Sequence, residues 1–212
     1  YRLFTRDSIQ VIGMDDMIPE HNKGLAAASP DRISPVWTRR ILLLTIGVLA
    51  ISLASYVYAR WANFAYAGQD NSIYQQALWH TFDNPPFYCS VHKNSHLGVH
   101  ATYTLVPLGL VYRIFPSALT LFYLRLMFLL LAAWPAYLIA RRFLGSRDAL
   151  LLTLIYLFHP IILLQNDHNF DALHLAPFLI LGCFHWFYEA KFGKFLLFFL
   201  LTLFLREDLG FG

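Results

Sequence analysis

Apolar segments of membrane-spanning length recur along most of this chain, and they restrict its fold more than any other feature. A helix that spans a bilayer needs about 20 predominantly apolar residues, with a range of about 17–25. Charged residues make up 14% of the chain, against about 25% in soluble domains. The sequence therefore predicts an all-α, polytopic transmembrane helix bundle and excludes an ordinary soluble domain. The apolar segments cover residues 41–59, 99–115, 117–140, 148–165, 171–190 and 194–206.

Residues 1–40 are polar and contain several prolines, which predicts a disordered cytoplasmic tail. Tyr1 is not an initiator methionine, so the true start residue stays open. The run 41–59 follows two arginines and lacks a small-residue cleavage site, so we interpret it as an uncleaved first span. Residues 41–212 are then the transmembrane domain, with an outer loop over 60–116.

Segment 99–115 is marginal in length and contains Pro107, so the distribution of Lys and Arg must decide whether it crosses. If it does not cross, eight of these residues lie inside and four outside; if it crosses, five lie inside and seven outside. The rule that positive charge collects inside favours about five crossings, with 99–115 as a re-entrant or interfacial helix on the outer face. In the favoured arrangement the inner residues are Arg32, Arg39, Arg40, Arg141, Arg142, Arg147, Lys191 and Lys194, and the outer ones are Arg60, Lys93, Arg113 and Arg206.

The stretch that begins near Asp70 has the pattern of an amphipathic helix lying on the membrane surface. Its apolar residues share one helical face: Ile73, Tyr74, Ala77, Leu78 and Phe82. Asp70 has two interpretations. It is an N-cap, a position that Asn71 or Ser72 could also take, or it is a functional carboxylate at the bilayer edge.

Three histidines, His92, His96 and His100, would align only if their whole segment were helical, and Gly98 argues against that. Exposed loop histidines without a joint role are the preferred interpretation, and His100 alone is kept as a candidate ligand. Imidazole suits zinc, copper, iron or nickel, whereas carboxylates suit magnesium or manganese. In the outer loop that precedes the fifth apolar segment, Asp171 is either a helix cap or a ligand, and His168 lies close by.

Arg125 lies inside the segment 117–140, where a charged side chain must pair, snorkel or face a cavity. Pairing with a carboxylate is the simple interpretation, and binding a lipid phosphate is the functional one, since a guanidinium fork matches phosphate. The chain has no Walker loop, no GxSxG and no basic stripe with aromatic residues. We therefore expect no nucleotide-dependent activity and no nucleic-acid partner.

The order of short motifs resembles a prokaryotic polytopic membrane family, domain of unknown function twenty-seventy-nine, grouped with the GT-C glycosyltransferase superfamily. The resemblance covers about residues 64–212. The matching pieces are Asp70-x-x-Ile73-Tyr74-x-Gln76-Ala77-Leu78-Trp79, Leu97-Gly98-x-His100, Pro107 through Tyr112 with Pro116, Tyr137 through Gly145, Tyr156-Leu157-x-x-Pro160, and Glu207-Asp208.

This resemblance implies a GT-C-like fold in which an acidic residue of the first outer loop serves the active site and a polyprenyl-phosphate-linked sugar is the donor. Asp70 is then the catalytic residue, and a divalent cation is the expected cofactor. We assign substrate binding to Arg125, Gln76, Trp79, Glu207 and Asp208, and metal binding to His100, Asp171 and His168.

GT-C proteins continue through further helices, so the resemblance also implies an amino-terminal portion or a truncated form. The expected location is the cell membrane, with several crossings and a cytoplasmic amino terminus. Two alternatives stay open: a non-enzymatic transporter or lipid- or polymer-binding protein, and an inactive truncated homologue.

Overall fold

The computed structural model describes residues 34–66, 68–206 and 209, and within them the chain is mostly helical. In this described part of the chain, nine α-helices follow one another, with one two-stranded antiparallel hairpin and three short 3-10 turns between them. The helices are α1 (Pro35–Ala62), α2 (Gln69–Trp79), α3 (Leu105–Ile114), α4 (Ala118–Leu131), α5 (Ala133–Phe143), α6 (Ser146–Leu157), α7 (Pro160–Leu164), α8 (Ala176–Tyr188) and α9 (Phe192–Leu203). The strands are β1 (Tyr88–Cys89) and β2 (Asn94–Ser95).

Helix α1 begins earlier than the apolar run that predicted it. Ser34 caps it by accepting a hydrogen bond from the backbone N–H of Val36 at 3.3 Å, and Pro35 occupies the first turn, where its missing N–H costs nothing. Residues 35–40, assigned from composition to the disordered tail, are therefore helical. Residues 1–33 of that predicted tail lie outside the described part of the chain.

Helices α4 and α5 form one nearly continuous apolar rod interrupted at Ala132. The interruption has a local cause, because Pro135 has no backbone N–H to donate to the carbonyl of Leu131. By length and composition, α1 and the combined Ala118–Phe143 rod are long enough to cross a membrane, and α6 with α7, bent by 41°, is a third candidate. The described chain also has shorter apolar helices at Leu105–Ile114, Ala172–Tyr188 and Phe192–Leu203.

Side-chain contacts define two ends of this bundle. At the Asp70 end, the Tyr56 hydroxyl of α1 donates to the Asp167 carboxylate, and the Tyr66 hydroxyl donates to the Asn166 carbonyl at 2.7 Å. At the Arg142 end, the Thr38 and Tyr137 hydroxyls are 2.6 Å apart. There Arg142 Nη1 also lies 3.5 Å from a Glu189 oxygen.

Helix α3 begins and ends at the Asp70 end. Before its first residue, the Thr104 N–H donates to the carbonyl of Phe204, directly after α9, at 3.1 Å. After its last residue the chain turns at Pro116 into the first turn of α4, where Ala118 lies beside Trp61 of α1. Ten residues of helix rise only about 15 Å, half of a hydrocarbon core of about 30 Å.

Helix α2 packs against α3 and buries the face that the apolar pattern predicts. Tyr74, Ala77 and Leu78 are buried there. Phe82 is an exception, since the helix ends at Trp79 and the Phe82 ring is 61% exposed, with the Arg113 guanidinium 5.5 Å above it. The packing holds the start of α2, and Asp70 with it, at the same end as the loop that precedes α8.

Candidate functional site

Asp70 lies in the first turn of α2 with its carboxylate exposed. The N-cap is Gly68, and the Ser72 hydroxyl donates to its carbonyl at 2.6 Å. The capping interpretation of Asp70, Asn71 or Ser72 is therefore wrong. Among the described residues, Asp70 has no hydrogen-bond or ion-pair partner. Because Asp70 lies in the first turn, its negative charge interacts favourably with the positive end of the helix dipole.

The three histidines align although their segment is not helical throughout. A tight hairpin of β1 and β2 carries His92 in its turn, and a 3-10 turn from His96 to Gly98 leads to His100. The ring centroids of His92 and His96 are 6.1 Å apart, and those of His96 and His100 are also 6.1 Å apart. The expectation of exposed loop histidines is wrong, because His96 is only 3% exposed and the other two are half-buried.

One pocket of about 220 Å³ brings this row together with both aspartates. Asp70 and Asp171 reach it from positions about a hundred residues apart, one from α2 and one from the turn before α8. We call it the histidine pocket. It is lined by Asp70, Ile73, Tyr74, His92, His96, Val99, His100 and Asp171.

His96 is a buried polar side chain of the histidine pocket. Neither of its buried ring nitrogens has a hydrogen-bond partner among the residues that the structure describes. Burial lowers the pKa of His96, and the neighbouring His100 and His92 lower it further, so the ring is held neutral. The Tyr74 ring lies 5.1 Å from it, centroid to centroid.

Asp171 is both a helix cap and a wall of the pocket. One carboxylate oxygen accepts from the Leu173 N–H at 2.8 Å, and the other lies 3.8 Å from Arg206 Nη1. His174 completes a capping box: its Nδ1 accepts from the Asp171 N–H at 3.0 Å, while its Nε2 lies 2.9 Å from Gln165 Oε1. The capping interpretation is confirmed. Of the two carboxylates of the pocket, Asp70 is the one without a partner among the described residues.

Arg125 does not face open space. Its side chain is fully buried, and its guanidinium donates to the carbonyls of His168 and, at 3.1 Å, Asn166. The rings of Phe122 and Tyr66 lie 5.2 and 6.0 Å from it. These donors hold the 166–168 loop in place, so the phosphate-binding assignment stays a prediction that these contacts do not support. No carboxylate pairs with the Arg125 guanidinium among the described residues.

Gln76 and Trp79 also lie elsewhere than predicted. Gln76 Oε1 accepts from the N–H and the hydroxyl of Ser90, at 2.9 and 2.8 Å, which ties the hairpin to α2. Trp79 is 56% exposed and does not line the histidine pocket. Neither residue therefore has the position that a substrate contact in this pocket requires.

The predicted metal ligands do not converge. His100 and Asp171 both line the histidine pocket, but His168 is exposed outside it. Among the described side chains, no group of three or more His, Cys, Asp or Glu is arranged to hold a metal ion. The predicted substrate contacts Glu207 and Asp208 lie outside the described residues.

The residues that sequence reasoning missed are His92, His96 and Tyr74. The four-residue spacing of the histidines was the available signal, and it was set aside because Gly98 interrupts a helix. A larger apolar cavity of about 690 Å³ lies between α3 and α4, lined by residues such as Ile114, Leu119 and Met127, and contains none of these polar groups.

A family model described as "Predicted membrane protein (DUF2079)" matches residues 60–211. This range contains all of the residues of the histidine pocket. No curated protein and no solved structure matches the chain.

Proposed function

This chain belongs to the DUF2079 family of predicted membrane proteins, and we propose that it is a membrane-embedded glycosyltransferase-like enzyme. It would move a sugar from a polyprenyl-phosphate-linked donor to an acceptor at the outer face of the cell membrane. One observation carries the proposal: the Asp70 carboxylate, which has no partner among the described residues, lines a pocket that also holds three imidazoles, at one end of an apolar bundle. A free carboxylate beside a small polar cavity is the arrangement that a general base requires.

The proposed topology has five crossings: α1, the α4–α5 rod, α6 with α7, α8 and α9. The contacts at the two ends support it. Asp171, before α8, lies 3.8 Å from Arg206, after α9, whereas Glu189, between these two helices, pairs with Arg142 at the opposite end. Helix α3 stays at the Asp70 end, which the Lys and Arg count assigns to the outside. The amino terminus is then cytoplasmic.

In the proposed reaction, Asp70 accepts the proton of an acceptor hydroxyl while the hydroxyl oxygen bonds to the anomeric carbon of the donor sugar. The bond from that carbon to the lipid phosphate breaks, and the phosphate leaves with the electron pair. General-base catalysis of this kind contributes about 10²–10⁴ in rate. Glu207 and Asp208 remain predicted substrate contacts.

The structure supports this reaction better than transport. Arg125 and Pro107 were the two residues that could mark a permeation path. Arg125 is occupied by backbone carbonyls, and Pro107 lies in α3, which begins and ends at the Asp70 end. The polar side chains of the histidine pocket gather at one end of the bundle instead of midway between its ends.

The test is transfer of a radiolabelled sugar from polyprenyl phosphate in membranes that contain the wild-type or the Asp70→Asn protein at equal abundance. We expect Asp70→Asn to lower the rate by about 10²–10⁴, because the amide cannot accept the proton. Asp83→Asn is the matched control, since Asp83 is an exposed aspartate that pairs with His80 outside the pocket. Unchanged transfer by Asp70→Asn would refute the assignment.

The divalent cation expected from the resemblance stays a prediction, because the described residues do not assemble a metal site. Chelation tests it directly. Loss of transfer in EDTA, restored by Mg²⁺ or Mn²⁺, would support a cation that neutralises the leaving phosphate. Transfer that is unchanged in EDTA would refute the cation, and Asp70 would then act as a general base without one.

A further inference from the structure

The buried imidazole of His96 indicates what the histidine pocket binds. A neutral imidazole has one N–H donor and one acceptor nitrogen. Within the described part of the chain, both nitrogens of His96 are buried and without a hydrogen-bond partner, and the side chain is 3% exposed and lines the pocket. An unpaired buried polar group costs about 1–3 kcal/mol, so such a group is expected to meet a ligand or ordered water.

The charges around the pocket limit the class of ligand. No Lys or Arg is among the described residues that line it, whereas Asp70 and Asp171 contribute two carboxylates, and the nearby Arg206 is 3.8 Å from that of Asp171. An anion such as phosphate would therefore be repelled. An ammonium group or a metal ion would use only the acceptor nitrogen of His96 and leave its N–H unpaired.

A hydroxyl group both donates and accepts, so hydroxyls can satisfy the donor and the acceptor of His96 together. Asp70 can accept from a further hydroxyl, and the side chains of Ile73, Tyr74 and Val99 supply apolar surface for C–H groups. The volume of about 220 Å³ equals about seven water molecules and lies below the roughly 300 Å³ of pockets for drug-sized ligands. The pocket therefore suits one small ring.

We propose that the histidine pocket binds an uncharged, polyhydroxylated ring, with His96 as the positioning residue that hydrogen-bonds its hydroxyls. Identifying this ring with the sugar acceptor rests on the proposed function, whereas the binding itself does not. In that case the lipid phosphate of the donor lies outside the pocket, because nothing among the described lining residues neutralises it.

The experiment is NMR of the purified chain in detergent with ¹⁵N-labelled histidine, the His96 signals being assigned with His96→Asn. Methyl glycosides of glucose, galactose and mannose are added separately, and inorganic phosphate, methylamine, MgCl₂ and ZnCl₂ form the comparison arms. We expect at least one glycoside to shift the two His96 ring nitrogens saturably. The exposed His168 should not shift. The four comparison arms should leave His96 unchanged.

A pair of variants makes the test specific to the pocket. Val99→Trp fills the pocket without removing a polar group and should abolish the shift. Val91→Trp is the matched control, because Val91 is similarly exposed, in the hairpin that precedes Val99, but does not line the pocket. It should keep the wild-type response.

The proposal is overturned if no glycoside shifts His96, if phosphate, methylamine or a metal ion does so instead, or if Val99→Trp responds like wild type. Its failure is distinguishable from failure of the proposed function. A glycoside shift together with normal transfer by Asp70→Asn would leave a sugar-binding protein without this chemistry. If Asp70→Asn lost transfer but no glycoside shifted the His96 signals, Asp70 would remain the proposed base, and the proposed ligand of the pocket would be refuted.

Discussion

At the scale of single residues, some polar side chains have structural hydrogen bonds and others have no partner among the described residues. Arg125 is fully buried and bonded to carbonyls, and Asp171 caps the turn before α8. Asp70 and His96 have no such partners among the described residues. An unpaired buried polar group such as His96 destabilises a fold, and the exposed Asp70 carboxylate is accessible to a ligand. These two groups are therefore the ones to test for function.

The pH dependence of stability should report the burial of His96. Its pKa is lowered from the ordinary value of 6.5 by burial, so below that pH the unfolded chain binds more protons than the folded one. Stability rises with pH wherever the unfolded state binds more protons. The folded state should therefore lose stability as the pH falls below about 6.5, down to the lowered pKa of His96.

We expect the melting temperature in detergent to fall more for wild type than for His96→Asn between about pH 7.5 and about pH 5. Asparagine does not take up a proton in this range. His168→Asn, at an exposed position outside the pocket, should retain the wild-type fall. If wild type and His96→Asn fell equally, His96 would not be held neutral by the fold.

At the scale of elements, the contact between α3 and the turn that follows α2 depends on Gly109. A Cβ at this position would overlap the Thr81 hydroxyl and lie 2.8 Å from its methyl carbon. Overpacking of this kind costs about 1–3 kcal/mol. We expect Gly109→Ala to lower the melting temperature and Thr81→Ala to restore part of the loss.

The control is Gly47→Ala in α1, where a Cβ would meet nothing within 4 Å. It should leave stability unchanged or raise it by about 0.5–1 kcal/mol, because alanine has the better helix propensity. A Gly109→Ala protein as stable as wild type would show that α3 and the turn that follows α2 are not packed this closely.

The anchoring of the 166–168 loop on α4 depends on Arg125. Arg125→Met removes both donors and leaves two carbonyls with fewer partners. Each lost hydrogen bond lowers the free energy of unfolding by about 1–3 kcal/mol. We expect a clear fall in melting temperature. Arg142→Met is the comparison, because the Arg142–Glu189 pair is more than 40% exposed on both sides, and exposed pairs contribute about 0–1 kcal/mol. If Arg125→Met lowered the melting temperature as little as Arg142→Met, Arg125 would not anchor the loop.

At the scale of the whole molecule, the proposed topology is tested by the accessibility of single cysteines in intact cells. Cys89 and Cys183 are first replaced by serine, and one cysteine is introduced at the exposed Lys93, Arg113 or His168, or at Arg147 or Lys194 at the opposite end. A membrane-impermeant maleimide should label the first three positions, and the last two only after permeabilisation. Labelling of Lys93 and Arg113 from opposite sides would mean that α3 crosses.

Sequence reasoning predicted the helices well because each follows from local chemistry. A long apolar run must form a helix in lipid, where every backbone group needs an internal partner. The predicted segments 117–140 and 148–165 correspond to the α4–α5 rod and to α6 with α7 within a few residues. The start of α1 was predicted six residues too late. The prediction followed the apolar run, which begins after the polar Arg39 and Arg40, whereas Ser34 and Pro35 begin the helix before them.

The sequence by itself determined that the chain is helical and apolar, that α2 is amphipathic, and that acids and histidines follow it. Only the tertiary structure decided which of these side chains meet. Asp70, His96 and Asp171 converge because the α2–α3 packing, the hairpin and the turn before α8 are placed by contacts between residues far apart in the chain. Arg125 and Gln76 were assigned to substrate because their types suit it, but the carbonyl of Asn166 and the N–H of Ser90 come from distant loops, and no local pattern encodes that proximity.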